Sequence, residues 1–317
     1  MTEMKLLAEG LSFPEGPVVA PDGSVLVVEI RRGTVTRIFP EGRVDRILDV
    51  PGGPNGAAVG PDGRLYLCNN GGFSWARRDG LDLVTGRADD WIGGRIQAAD
   101  LATGTLETLF TECDGRPLGA PNDLVFDHAG GIYFTDNAST YPRHQDRGGL
   151  YYISPGLDRI TEVGFPLGHP NGVALSPDGS RVYVADTLTS AIWYWDVESP
   201  GVLARGPHDG GANFLYRLPN VKTFDSIGVD AEGNIAAATL VEGSVVVISP
   251  RGETVAVHEV PEPDPLVTNV AFGGDDLRTA FVTSGARGRL YAMEWHCPGL
   301  RLNFTEVRLP PDEEVPA

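Results

Sequence analysis

Pro170-Asn171-Gly172-Val173-Ala174-Leu175-Ser176-Pro177-Asp178-Gly179-Ser180-Arg181-Val182-Tyr183-Val184-Ala185-Asp186 is the clearest copy of a phrase that this chain repeats. A polar residue on a Pro/Gly turn leads into an apolar run, then an Asp-Gly turn, then a second apolar run. That order describes a β-hairpin, two strand-like segments joined by a turn that tolerates positive φ. The phrase recurs from Pro54-Asn55-Gly56 to Asn70 and from Pro121-Asn122-Asp123 to Asn137. A variant opens with Phe13-Pro14-Glu15-Gly16-Pro17, and looser copies begin at Asp225-Ser226-Ile227 and Asn269-Val270-Ala271.

The six leading residues, Glu15, Asn55, Asn122, Asn171, Asp225 and Asn269, are spaced 40, 67, 49, 54 and 44 residues apart. A period of 40 to 50 residues with several short strands per repeat predicts a β-propeller. The segments between the phrases supply further strands, such as Thr34 to Phe39, Ala191 to Asp196 and Ser244 to Ile248, rich in β-branched and aromatic residues. No stretch sustains the i, i+3, i+4 apolar spacing of a helix. The expectation is therefore an all-β, six-bladed propeller with four-stranded blades around a central channel, one domain spanning 1–317. Lys5-Leu6-Leu7 and Phe304 to Leu309 are expected to share the closing blade, covering an open sheet edge. The acidic, proline-rich tail from Pro310 is expected to be loose.

The interval of 67 residues exceeds its siblings because of Gly71 to Gly94, which carries Trp75 and Trp91. Long loops in compact repeats are functional or disordered. This one is either a lid over the channel or a surface excursion.

A net charge of −18 argues against nucleic acid and anionic membranes as partners and favours a surface that attracts cations. The N-terminus lacks the order of a signal peptide, and no apolar run reaches the roughly 20 residues of a membrane span. Together with three unpaired cysteines, Cys68, Cys113 and Cys297, read as buried small residues, this predicts a cytoplasmic protein.

In a propeller the innermost strands line the channel, so the six leading residues converge on the axis. One Glu, one Asp and four Asn offer oxygen donors with two negative charges, the donor set of a hard divalent cation. Ca²⁺ fits best, with Mg²⁺, Mn²⁺ or Zn²⁺ as alternatives. Asn and Asp also lead hairpins by capping turns, a competing reading for Asn55 and Asn269. Glu15 has no such turn role. The Pro-Asp-Gly motifs at Asp22, Asp62 and Asp178 read as hairpin turns, because no spaced carboxylates of a calcium loop follow them.

These motifs, in this order, resemble the senescence-marker-protein / gluconolactonase / luciferin-regenerating-enzyme family over nearly the whole chain. The resemblance implies one divalent cation at the channel mouth, held by Glu15, Asn171 and Asp225, with Asn122 touching metal, its water or substrate. It implies hydrolysis of a lactone, with Asp225 as catalytic base or nucleophile and Asp123 as a support. Substrate contacts fall to Asn122, Asp123, Asn55 and Asn269. Sugar lactonases of the family carry an Arg where this chain has Ala120, and a Glu near the position of Thr140. Arg95, Arg143, Trp75 and Trp91 are candidates for the missing contact. The rival readings are phosphoester or phosphofluoridate hydrolysis at the same centre, a non-catalytic calcium-binding propeller, and a metal-free lyase or synthase. The expected partner is a small-molecule lactone. The sequence leaves the oligomeric state open.

Overall fold

In the computed structural model, which describes residues 3–141 and 143–310, six small antiparallel sheets are arranged around one axis. Blade I runs Pro14–Val19, Val25–Glu29, Thr34–Ile38 and Val44–Asp49 from the channel outwards. Blade II is Pro54–Val59, Leu65–Asn69, Arg95–Asp100 and Thr105–Phe110. Blade III is Pro121–Phe126, Ile132–Asp136, Gly148–Ile153 and Ile160–Leu167. Blade IV is Pro170–Leu175, Arg181–Asp186, Ala191–Ser199 and Asn213–Arg217, with Val202–Leu203 also pairing to its third strand. Blade V is Thr223–Val229, Ile235–Leu240, Ser244–Ile248 and Thr254–Glu259. Blade VI is Val267–Gly273, Thr279–Ser284 and Arg289–Glu294, completed by the N-terminal strand Lys5–Glu9. Among the described residues there is no α-helix, and so none long and apolar enough to cross a membrane.

The second strands, such as Val25–Glu29 and Leu65–Asn69, are buried along their whole length, which accounts for their continuous apolar runs. The outermost strands alternate, as Val44–Asp49 does, because only one of their faces meets a neighbour. Six apolar clusters fill the six interfaces between successive blades. Val28, Val35, Val59 and Leu67 pack blade I on blade II, for example, and Val25, Ile38, Phe281 and Leu290 pack blade VI on blade I. The core is thus a ring of wedges, and the axis is left for polar groups.

Closure differs from the expectation in one element. Lys5–Glu9 supplies the outer strand of blade VI alone, and Phe304 to Leu309 forms no strand. With that edge already covered, the C-terminal segment crosses the far face of the ring. Leu300 N–H donates to Val229 O, Asn303 Nδ2 to Phe126 O and Arg308 N–H to Gly63 O. Phe304 packs edge-on against Phe126 at 5.7 Å, and Val307 joins the cluster between blades I and II. This strap roofs a channel cavity of about 880 Å³, whose wall runs inward from Leu300 to Glu306 as far as Asp123 and Asn269. Residues 311–317, most of the expected loose tail, lie outside the described residues.

Two local devices set the inner strands. The first is a carboxylate or amide at the end of the second strand, which grips the loop entering the same blade. Glu29 accepts from Ser12 N, Asn69 from Gly53 N, Asp136 from Gly119 and Ala120 N, and Asp186 from Gly168 and His169 N. The second is a break in register in every inner strand: between Glu15 and Val18, Pro54 and Ala57, Pro121 and Leu124, Pro170 and Val173, Phe224 and Ile227, and Val267 and Asn269. The leading polar residues therefore lie in or beside strand bulges. The hairpin turn is at the other end of the phrase, where Asp22, Asp62 and Asp178 accept from Ser24, Arg64 and Ser180 N–H.

The glycine after the leading residue is required by backbone approach between blades. A Cβ on Gly172 would lie 2.5 Å from Ile227 N, and one on Gly56 would lie 2.5 Å from Asn122 O. Gly172→Ala is expected to cost about 1–3 kcal/mol through overpacking, read as a lowered Tm. Gly156→Ala, whose Cβ meets nothing nearer than 3.4 Å, should stay within about 0.5 kcal/mol.

Candidate metal centre

At each bulge two residues face a single residue of the partner strand, the strand kinks, and a side chain turns out of the sheet. Six such bulges hold the six leading residues in the innermost strands, where all are buried. Glu15, Asp123 and Asp225 feel one another's charge, and no cation figures among the groups that shift them. Burial raises all three. Asp225 is pushed up to about 8, with Asp123 adding and the Asn171 amide opposing. Asp123 reaches about 7, opposed by Leu124 and Val173 N–H. Glu15 is raised by burial first, then by Asp225 and Asp123. Three buried carboxyls that feel one another's charge do not all ionise without a counter-charge.

The amides divide by what they already hold. Asn269 donates to Glu15 Oε2 at 2.8 Å and accepts from Val270 N–H at 2.7 Å, so both its ends are engaged. Glu15 Oε2 also accepts from Gly16 N–H. Asn171 Oδ1 takes only a 3.3 Å contact from the Ser226 hydroxyl. Asn122 Oδ1 is buried with no partner among the described residues, an orphaned acceptor of the kind that a cation would satisfy. Asn55 makes no side-chain hydrogen bond among the described residues. Neither Asn55 nor Asn269 caps a hairpin turn, since both stand in inner strands. Glu15, Asn122, Asn171 and Asp225 all offer oxygen donors, the chemistry that a hard divalent ion takes.

Around this mouth the long insert folds as a hairpin, Phe73–Arg78 paired with Leu81–Arg87. It is docked on the rim. Trp75 lies 4.9 Å from Phe13, Asp82 pairs with Arg31, and Asp82 N–H donates to Ala286 O at 2.8 Å. Arg87 lies over Trp91 at 4.7 Å and over Tyr141 at 5.2 Å, reaching blade III. Two of the residues considered for a missing substrate contact are occupied here: Arg95 binds Gly93 and Ile92 O, and Trp91 Nε1 binds Asn70 O. His169 is half-buried on the same rim, its pKa lowered by burial. Sequence reasoning passed over Asn70 as a site residue and touched Asn137 only in passing. Each carries a buried amide atom without a partner, Nδ2 and Oδ1 respectively, just beyond the second strands of blades II and III. Their place at the end of the repeated phrase was the available signal.

Residues 13–286 match the family described as SMP-30/Gluconolactonase/LRE-like region. The chain belongs to that family. Across 316 aligned residues it is 25% identical to a gluconolactonase of Zymomonas mobilis, covering 89% of this chain and 79% of that one. It is 28% identical to lactonase drp35 of Staphylococcus haemolyticus, covering 82% and 73%. Among solved structures, a calcium-binding protein, regucalcin, from Agrobacterium tumefaciens superposes with a TM-score of 0.73 at 20% identity, covering 95% of this chain and 98% of that one. At that identity the likeness speaks for the fold.

The raised carboxyls make metal-free stability depend on pH. Between about pH 4 and 8 the folded chain keeps the Asp225 proton that the unfolded chain has lost, so stability falls as pH rises through that window. In chelator, the Tm of the wild type should fall more steeply from pH 5 to 8 than that of Asp225→Asn. Added Ca²⁺ should raise the wild-type Tm more at pH 8 than at pH 5. An equal Ca²⁺ shift at both pH values would count against ionisation of these carboxyls on binding.

Proposed function

We propose that this protein hydrolyses a lactone at the channel mouth, with one divalent cation, Ca²⁺ by its donor set, held by Glu15, Asn122, Asn171 and Asp225. The observation that carries this reading is the group of three buried carboxyls and an orphaned Asn122 carbonyl with no cationic partner. The similarity to a gluconolactonase and to lactonase drp35 supports the reaction class. A cation bound there would polarise the ester carbonyl and stabilise the charge that develops on its oxygen.

The residues of the chain have separable tasks. Glu15 Oε2 is fixed by Asn269 and Gly16, so Glu15 serves as a rigid ligand. Among the described residues Asp225 is tied to the Asn171 amide, and it is the carboxylate left to take a proton from the attacking water. Asp123 is pinned by Leu124 and Val173 N–H, and it holds the inner strands of blades III and IV in place beside the site. Asn55 remains to meet the substrate from blade II, beneath the insert, with Asn122 beside the ion on blade III. Asn269 is spent on Glu15.

Substrate polarity follows from the rim. Ala120 is a methyl group where sugar lactonases of the family place an Arg, and Phe13, Phe73 and Trp75 form an aromatic wall where the insert docks on the rim. This wall favours a lactone with an apolar substituent over a polyhydroxylated one.

The test is turnover of aliphatic, aryl-substituted and aldonic lactones by metal-stripped protein, with and without Ca²⁺, Mg²⁺, Mn²⁺ or Zn²⁺. Metal-restored turnover should fall at least 100-fold in Glu15→Gln and in Asp225→Asn, on the scale of a lost general base. Trp75→Ala should raise KM for apolar lactones with little change in kcat. Bound metal with no turnover of any lactone would sink the proposal and move phosphoesters forward.

A further inference from the structure

A second set of ligating side chains stands on the far face of the ring, apart from the channel mouth. Asp230, at the end of the inner strand of blade V, is fully buried. His296 and Cys297 follow the third strand of blade VI, where the C-terminal strap begins. One ligand atom from each of Asp230, His296 and Cys297 lies within 4.8 Å of the others. His296 Nε2 is 3.6 Å from Asp230 Oδ2 and 3.9 Å from Glu232 Oε2.

Asp230 begins with a structural duty that its sister turns share. Its Oδ1 accepts from Glu232 N, Asn234 N and Asn234 Nδ2. In those sister turns the carboxylate is completed by cations or hydroxyls: Ser24 and Arg37 at Asp22, Arg64 and Tyr66 at Asp62, Tyr152 at Asp127, Ser176 and Ser180 at Asp178. At blade V the second oxygen instead accepts from Asn234 Nδ2 at 3.0 Å and Trp295 Nε1 at 3.3 Å, and faces an imidazole and a thiol. A ligating carboxylate oriented by hydrogen bonds from its surroundings is the usual outer-sphere arrangement of a metal site.

We propose that Asp230, Glu232, His296 and Cys297 bind one Zn²⁺-type ion that staples the start of the strap to blade V. Ligands around tetrahedral zinc, at about 2.0–2.3 Å from the ion, stand roughly 3.3–3.8 Å from one another. Asp230, His296 and Cys297, already within 4.8 Å of one another, reach that by drawing together around the ion, and Glu232, exposed and 3.9 Å from His296 Nε2, would swing in as the fourth ligand. The sulfur and nitrogen donors select a borderline ion, in contrast to the all-oxygen set in the channel. Binding releases the Cys297 proton to solvent and leaves a thiolate on the metal. Backbone bonds already join the two segments, Ala231 N–H to Pro298 O and Leu300 N–H to Val229 O, so the ion would lock an existing contact.

Co²⁺ titration of the metal-stripped full chain tests this, using Glu15→Gln/Asp225→Asn to silence the channel. One equivalent should give a thiolate-to-cobalt charge-transfer band that excess Ca²⁺ leaves intact and Zn²⁺ displaces. Cys297→Ser should abolish the band, and His296→Ala, a half-exposed position, should weaken binding at least tenfold. Zn²⁺ should also slow hydrogen exchange in residues 299–309. Absence of the band, or its survival in Cys297→Ser, overturns the site. A band without added protection of the strap overturns the staple. Should Cys297→Ser fail to fold, unchanged affinity in His296→Ala is sufficient to reject the proposal.

Discussion

The bulge at the mouth of each inner strand is the constraint on which the rest of the molecule depends. A regular strand sends alternate side chains into the two neighbouring interfaces, and those interfaces are apolar. To put Glu15, Asn122, Asn171 or Asp225 on the axis, the ladder has to be broken where each residue stands. The break carries its own requirement. The residue after Asn55 or Asn171 passes within van der Waals distance of the next blade's backbone, and at Gly56 and Gly172 no side chain fits. The Asn-Gly pair that opens the phrase is therefore one unit: the first residue faces the channel and the second allows the blades to close up.

This double use explains what the sequence made legible. Six phrases at a 40- to 67-residue spacing disclosed six blades, because every blade must solve the same packing problem. The same repetition put the six leading residues in equivalent places, and all six stand buried in the innermost strands. The phrase was nonetheless misread locally. Pro-Asn-Gly has the composition of a turn, and only strand pairing reveals that Pro54–Val59 and Pro170–Leu175 begin before the Asn. Composition does not distinguish a turn from a bulge, since both want Gly and Asn.

The failures lie where contacts join parts distant in sequence. Phe304 to Leu309 alternates like a strand, yet its apolar residues pack across the far face, because Lys5–Glu9 had taken the one open edge. Asn269 looks like its sisters in the phrase. Its distinct part, holding Glu15 from 254 residues away, depends on ring closure bringing blade VI against blade I. The insert's aromatic residues signalled a special loop, but its docking through Arg31, Phe13 and Ala286 rests on single side chains in three other segments.

The chain is rich in buried carboxylates, and burial alone does not mark a site. Asp186 is buried as deeply as any, and it accepts from Gly168, His169 and Thr189 N–H. Glu29 is likewise filled by Ser12, Thr34, Thr36 and Arg32. These groups are satisfied by the fold and have nothing left to offer a ligand. In the channel, by contrast, Glu15, Asp123 and Asp225 are each raised by burial and crowded by one another, and Asn122 beside them has an acceptor that nothing fills. The difference between a latch and a site is this residual demand. A folded chain tolerates such a cluster where something outside it supplies the missing charge, the part proposed for a divalent cation.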